Sequence, residues 1–177
     1  MSKAFTKESD DGGSSVVLPP REIELPPGVP NYVTPGGAQR LRDELEKLRD
    51  VDRPAALRRA TDTQRTNATV AEVSTLEIDR RIAAIQASLA RAEIVNSAGQ
   101  DTSRVLFGAT VLVHDEEGVA HRYRIVGLDE ADVHRGWISW LAPLAKALLG
   151  HRVGDSVIVR SPRGEEELEI VSIDYEP

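Results

Sequence analysis

Two narrow apolar stripes constrain this chain more than any other feature of it. In EIDRRIAAIQASLARAEIV, Ile78, Ile82, Ile85, Leu89 and Ala92 recur at spacings of four, three, four and three, flanked by charge. That repeat puts all five on one helical face, which needs a partner helix to cover it. The earlier segment VTPGGAQRLRDELEKLRDVDRPAALRRA supplies one, with Leu41, Leu45 and Leu48 at four and three, and Asp52, Ala55 and Arg59 continuing the seam less apolarly. Two such stripes are too few to enclose a core of their own, and neither can stay exposed alone. The two helices, linked by the polar stretch TDTQRTNATVAEV (61–73), are therefore expected to pair antiparallel as a projecting hairpin. At 1.5 Å per residue, arms of about 25 to 30 residues would extend about 40 Å. Thr34 followed by Pro35 fits a helix N-cap and first position. Pro54, lacking an N–H, should bend or interrupt the first arm.

From Val105 the hydrophobic period becomes strand-like. VLFGATVLVHDEEGVAHRYRIVG reads as strand, charged turn, strand, with Val111/Val113 and Tyr123/Ile125 alternating through a hairpin. WISWL is a short third strand. PLAKALLG, with proline in its first turn and glycine at its end, is a helix of about two turns. DSVIVRSPRGEEELEIVSIDY closes with a second hairpin around Pro162, Arg163 and Gly164. The expected class is α+β: an N-terminal antiparallel α-helical coiled-coil hairpin over 31–96, a polar linker over 97–104, and a small, mostly antiparallel β-sheet domain with a short helix over 105–177. Residues 1–30, rich in Ser, Gly, Pro and charge, carry too little apolar surface to offset ordering and are expected to form a flexible tail.

Composition removes several function classes. There is no cysteine, hence no disulfide, thiol catalysis or thiolate metal site. The chain has no apolar run of about 18 residues and no apolar core in MSKAFTKESDDGG, so a cytoplasmic protein without a membrane partner is expected. A formal net charge of −7 argues against direct binding to duplex phosphates, so nucleic acid would be reached through a partner. His114, His121, His134 and His151 fall in different expected elements at no metal-ligand spacing and read as surface residues. No nucleophile or phosphate-loop motif is present, and no catalytic residue is assigned.

Two features stand apart. Trp137 and Trp140 are three apart, so a strand would send them to opposite faces; an exposed one beside Leu141 and Pro143 would anchor a partner, whereas two buried ones would be packing residues. Asp62 and Glu72 could occupy opposite shoulders of the hairpin tip. Two carboxylates at the end of a rod can help complete the coordination of a hard cation such as Mg²⁺ held elsewhere, although each is also an ordinary helix-end residue.

YVTPGGAQRLRDELEKL, DRP, EIDRRIAAI and the long stretch VLFGATVLVHDEEGVAHRYRIVGLDEAD…ISWLAPLAKALLGHRVGDSVIV together resemble the bacterial Gre family of transcript-cleavage factors, most closely its GreB-like branch, over about residues 31–175. The resemblance implies that the C-terminal domain is FKBP-like and docks on the rim of the RNA polymerase secondary channel while the hairpin enters it. It implies a docking surface containing Ile138, Ser139, Trp140, Leu141, Pro143, Leu144 and Ala145, with Ala142-Pro143 standing where the family has Ser-Pro.

The tip departs from the family. Where family cleavage factors carry a GDRSENADY-like motif whose Asp and Glu hold the second Mg²⁺ of the polymerase active site, this chain reads TDTQRTNAT. Asp62, Arg65 and Asn67 keep part of the pattern, and the Glu has no counterpart. The stretch between DRP and EIDRR is also about one heptad shorter, which removes about one turn from each arm, or roughly 5 Å. The expectation is a monomeric polymerase-binding elongation regulator that is not itself an enzyme, has no tightly bound cofactor and lacks full cleavage stimulation. The alternative is an active cleavage factor in which Asp62 and Glu72 share Mg²⁺ with the polymerase. The FKBP-like likeness also raises a peptidyl-prolyl isomerase, for which Phe107, Tyr123, Trp137, Trp140 and Tyr175 are few aromatics to line a proline pocket.

Overall fold

Thr34 opens the first helix through cap chemistry. Its extended backbone (φ −72°, ψ 157°) lets Oγ1 accept the Gly37 N–H at 2.9 Å, and Pro35, which has no N–H to leave unsatisfied, takes the first position. This is a computed structural model, and it describes residues 25–62, 68–161 and 164–175. Ahead of the cap, strand β1 (Asn31–Val33) is followed by helix α1 (Pro35–Lys47), a π-helical turn (Leu48–Asp52) and helix α2 (Arg53–Asp62). Helix α3 (Ala68–Ala90) returns alongside them.

The antiparallel pairing of the arms is visible in their cross-links. Arg53 Nε donates to Asp79 Oδ1 at 2.6 Å, Arg81 reaches Glu44 with two bonds of 2.7 and 2.8 Å, and Asn31 Nδ2 reaches Ser88 Oγ at 2.9 Å, so partners recede on one arm as they advance on the other. Between the arms lies a core of Val33, Ala38, Leu41 and Ile85, with Leu45, Leu48, Leu89 and Ala92 packed against it. The expected stripe on α3 is thus the packed one. On the first arm the expected seam fails beyond Leu48: Ala56 is buried at 6% exposure, Ala55 is only half-buried and Arg59 is exposed. The cause is the π turn just before Pro54, which adds a residue to the helical repeat and moves the seam on by one position.

Ala92, expected at the end of the helical stripe, belongs instead to strand β2 (Ala92–Ile94), which pairs in parallel with β1 and ties the two ends of the hairpin together. Beyond the connection come β3 (Thr110–His114), β4 (Ala120–Val126), β5 (Trp137–Ser139), helix α4 (Pro143–Leu148), β6 (Ser156–Ser161) and β7 (Gly164–Asp174). The sheet order is β5-β4-β3-β7-β6. Its pairs are mostly antiparallel, as expected, and the exception is β5, which runs parallel to β4 after the chain crosses back through two short 3₁₀ turns, Leu128–Glu130 and Val133–Arg135. Core residues Val111, Val113, Ile125, Leu168 and Ile170 line one face, and α4 covers it with Ala145 and Leu148. The sheet core and the hairpin core are separate clusters.

Candidate partner-binding site

Glu130 joins the two units. It lies in a 3₁₀ turn of the sheet domain, yet its carboxylate, with 2% of the side chain exposed, is directed at the first turn of α1. Oε2 accepts from the backbone N–H groups of Thr34 (2.8 Å) and Gly127 (3.1 Å); Oε1 accepts from Thr34 Oγ1 (2.5 Å) and Arg40 Nη2 (3.0 Å). Four donors thus converge on one carboxylate at the positive end of a helix, which suits a buried negative charge. Gly37 makes the approach possible: a Cβ there would stand 2.1 Å from Glu130 Cδ. Ser88 on α3 hydrogen-bonds Asp129, so the other arm is fastened to the same turn. Sequence reasoning missed this joint. Nothing in LDEAD distinguishes Glu130 from its solvated acidic neighbours, since its partners Thr34 and Arg40 are 96 and 90 residues away.

The expected docking residues lie together on β5, the following turn and α4, but they do not all present surface. Pro143 is exposed; Ile138, Trp140, Leu141 and Leu144 are half-buried; Ser139 and Ala145 are buried and hold the segment from beneath. Ser139 Oγ accepts the Leu141 N–H at 3.2 Å, which shapes the turn leading into α4.

The tryptophans match neither the exposed-anchor nor the fully buried expectation. Both are half-buried. The Trp140 ring packs against Tyr32 of β1 (centroids 5.2 Å apart), and Tyr32 also meets Phe107 at 5.8 Å, so the segment expected to dock and the hairpin base share an aromatic cluster. Trp137 lies under three guanidiniums, those of Arg40, Arg135 and Arg124, at 4.9, 5.2 and 5.6 Å from its ring centre.

At the far end of the hairpin, Asp62 is the last residue of α2 and Glu72 is the fifth of α3. Arg65 and Asn67 lie outside the described residues, as do the side chains of Asp62 and Glu72. Among the histidines, all expected at the surface, His121 is half-buried and its Nε2 is 2.9 Å from Asp115 Oδ2. That hydrogen bond, with those from the Val119 and Glu117 N–H groups, holds the Asp115 carboxyl below the ordinary carboxylate range. No helix among the described residues is long and apolar enough to cross a membrane.

The family description "Transcription elongation factor, GreA/GreB, C-term" matches residues 100–175. The chain is 39% identical to transcription elongation factor GreA of Anaeromyxobacter sp. (strain K), over 81% of this chain and 91% of that protein. It is 36% identical to transcription elongation factor GreB of Pseudomonas aeruginosa, over 90% of this chain and 96% of that protein. Relatives bearing the two names are thus about equally similar, and they do not assign the chain to the GreB-like branch. Among solved structures, GreA factor homolog 1 (Gfh1) of Thermus thermophilus is similar at 27% identity and a TM-score of 0.37, covering 82% of this chain and 99% of that one. The extent of the sequence matches, which take in the hairpin as well as the sheet domain, establishes that this chain belongs to the GreA/GreB family of transcription elongation factors.

Proposed function

We propose that the chain binds RNA polymerase through the segment from Ile138 to Ala145 and passes its hairpin into the secondary channel, modulating elongation without full stimulation of transcript cleavage. One observation carries this reading: the hairpin is fastened to the sheet domain at its base, by Thr34, Arg40 and Ser88, and continues outward as a rod. From Arg40 to Asp62 is 22 residues, or about 33 Å of helix beyond the joint. A rod fixed at one end can probe a pore when its foot rests on the rim. The tip sequence TDTQRTNAT lacks the family's Glu, which argues against a full metal-holding pair there.

One feature favours the second reading, that of an active cleavage factor. Asp62 ends α2 and Glu72 lies in the second turn of α3, so the two stand on either side of the connection between the arms. Asp62 and Glu72 would then be the residues to share a hard divalent cation with the polymerase, and bound Mg²⁺ would supply polarisation of a phosphoryl oxygen and activation of water.

Both readings are tested on a stalled, backtracked elongation complex. The chain should co-migrate with polymerase and leave the RNA 3′ end largely intact in Mg²⁺; failure to co-migrate would overturn the proposal. Rapid 3′ shortening that is lost in Asp62→Ala would establish the second reading. Isomerase activity is not expected, because the sheet domain's aromatics are engaged within the fold: Phe107 and Trp140 with Tyr32, Trp137 under arginines, Tyr123 with His121, and Tyr175 through its hydroxyl with Leu106 N–H and Arg104 O. A proline-peptide isomerisation assay should show no rate increase.

A further inference from the structure

Asp115, His121 and Glu166 come from three places in the chain: the turn after β3, the second residue of β4 and the start of β7. The sheet brings them together. Val113 pairs with His121 on one side and Ile170 on the other, so His121 shares the face of buried Val113, and Glu166 follows Leu168 and Ile170 along that face to its open end. One ligand atom from each residue lies within 4.8 Å of the other two, and Asp115 Oδ2 is 2.9 Å from His121 Nε2.

Three properties separate this group from a run of solvated acids. It contains a nitrogen donor. Asp115, with 9% of its side chain exposed, is fixed by accepting the Val119 and Glu117 N–H groups, so one ligand is preset before any ion arrives. The two carboxylates converge on a shared neighbour: their charges, after burial, hold the Tyr123 phenol above its ordinary range, and the Tyr123 ring stacks on His121 with centroids 6.3 Å apart.

We infer that Asp115, His121 and Glu166 form a binding site for a divalent first-row transition metal ion, with Zn²⁺ the best fit. One imidazole and two carboxylate oxygens are a three-ligand set that leaves one tetrahedral position to water, whereas Mg²⁺ demands octahedral oxygen coordination and dehydrates reluctantly. The ion would replace the Asp115–His121 hydrogen bond by two metal bonds and draw exposed Glu166 inward. It would also clamp the β3–β4 turn to the β6–β7 hairpin, which sits at the end of the sheet away from the hairpin joint.

The test is calorimetric titration of the untagged full chain with Zn²⁺ alone, in Mg²⁺-containing buffer, at a pH above the imidazole range. One equivalent should bind. His121→Gln and Glu166→Gln should each weaken it about tenfold or more. His114→Gln should bind like the parent, since its residue points to the opposite face. Neither test substitution touches the Asp115 turn contacts with Val119 and Glu117, and unchanged far-ultraviolet dichroism verifies that each variant is folded. Absence of binding, or affinity retained in either of the two variants, overturns the three-ligand site.

Discussion

A carboxylate that accepts four hydrogen bonds has no spare lone pair, and that makes Glu130 intolerant of its own amide. In Glu130→Gln the new NH₂ must face either the Thr34 and Gly127 N–H groups or the Thr34 hydroxyl and Arg40, so donor meets donor in either orientation. The expected loss is about 1–3 kcal/mol in denaturant unfolding. Gly37→Ala should cost a similar amount by pushing the same carboxylate away, since the added carbon would lie 2.1 Å from it. Asp115 carries a pH dependence. Its folded-state carboxyl is held below the ordinary range, chiefly by the His121 hydrogen bond, so its contribution is present above the unfolded-state value and is lost as pH falls through the folded-state value. Acid unfolding should therefore be less steep in Asp115→Asn than in the parent when midpoints are compared across that window. At this scale, legibility follows sequence distance. Thr34-Pro35 could be read because a cap bonds a group three residues away. Glu130 and the Asp115–His121–Glu166 group could not, because the sheet and the joint bring their partners together.

The elements show the same division in another form. The α3 stripe was readable because the helix is regular from Ala68 to Ala90 and the heptad spacing maps directly onto one face. The first arm was readable only to Leu48, because a periodicity argument assumes a constant number of residues per turn and the π turn breaks that assumption. Pro54 signalled an interruption but not its register. Whether the seam runs through Ala55 or Ala56 is directly measurable: Ala56→Asp buries a charge between the arms and should cost about 1–3 kcal/mol more than Ala55→Asp, whose site is partly solvated. Equal costs would restore the uninterrupted seam. The parallel β4–β5 pair was illegible for a different reason. A three-residue strand shows alternation at most, and alternation carries no strand direction. The direction follows from the crossing through the turn that carries Glu130, so sheet topology and hairpin attachment are one structural event.

For the whole molecule, the joint matters because the hairpin is a lever. If the rod extends about 33 Å beyond Arg40, a rotation of about 10° at the base moves the tip by about 6 Å, more than a full helical turn. On the proposed reading, the effect on elongation depends on where the tip is aimed, whereas docking depends on local surface at Leu141 and Pro143. Binding and effect should therefore separate genetically. Glu130→Gln, verified as folded, should retain polymerase affinity within about twofold and lose most of its influence on elongation, because its foot is intact and its rod is no longer aimed. Leu141→Asp should lose both together: it puts a charge on the half-buried turn proposed to dock while leaving the Glu130 contacts in place, and a tenfold loss of affinity corresponds to about 1.4 kcal/mol. Parallel measurement of polymerase affinity and of elongation rate on the same template distinguishes the two variants. If Glu130→Gln binds and acts like the parent, the rod is not aimed by its base, and under the proposed channel entry the channel itself would guide the hairpin.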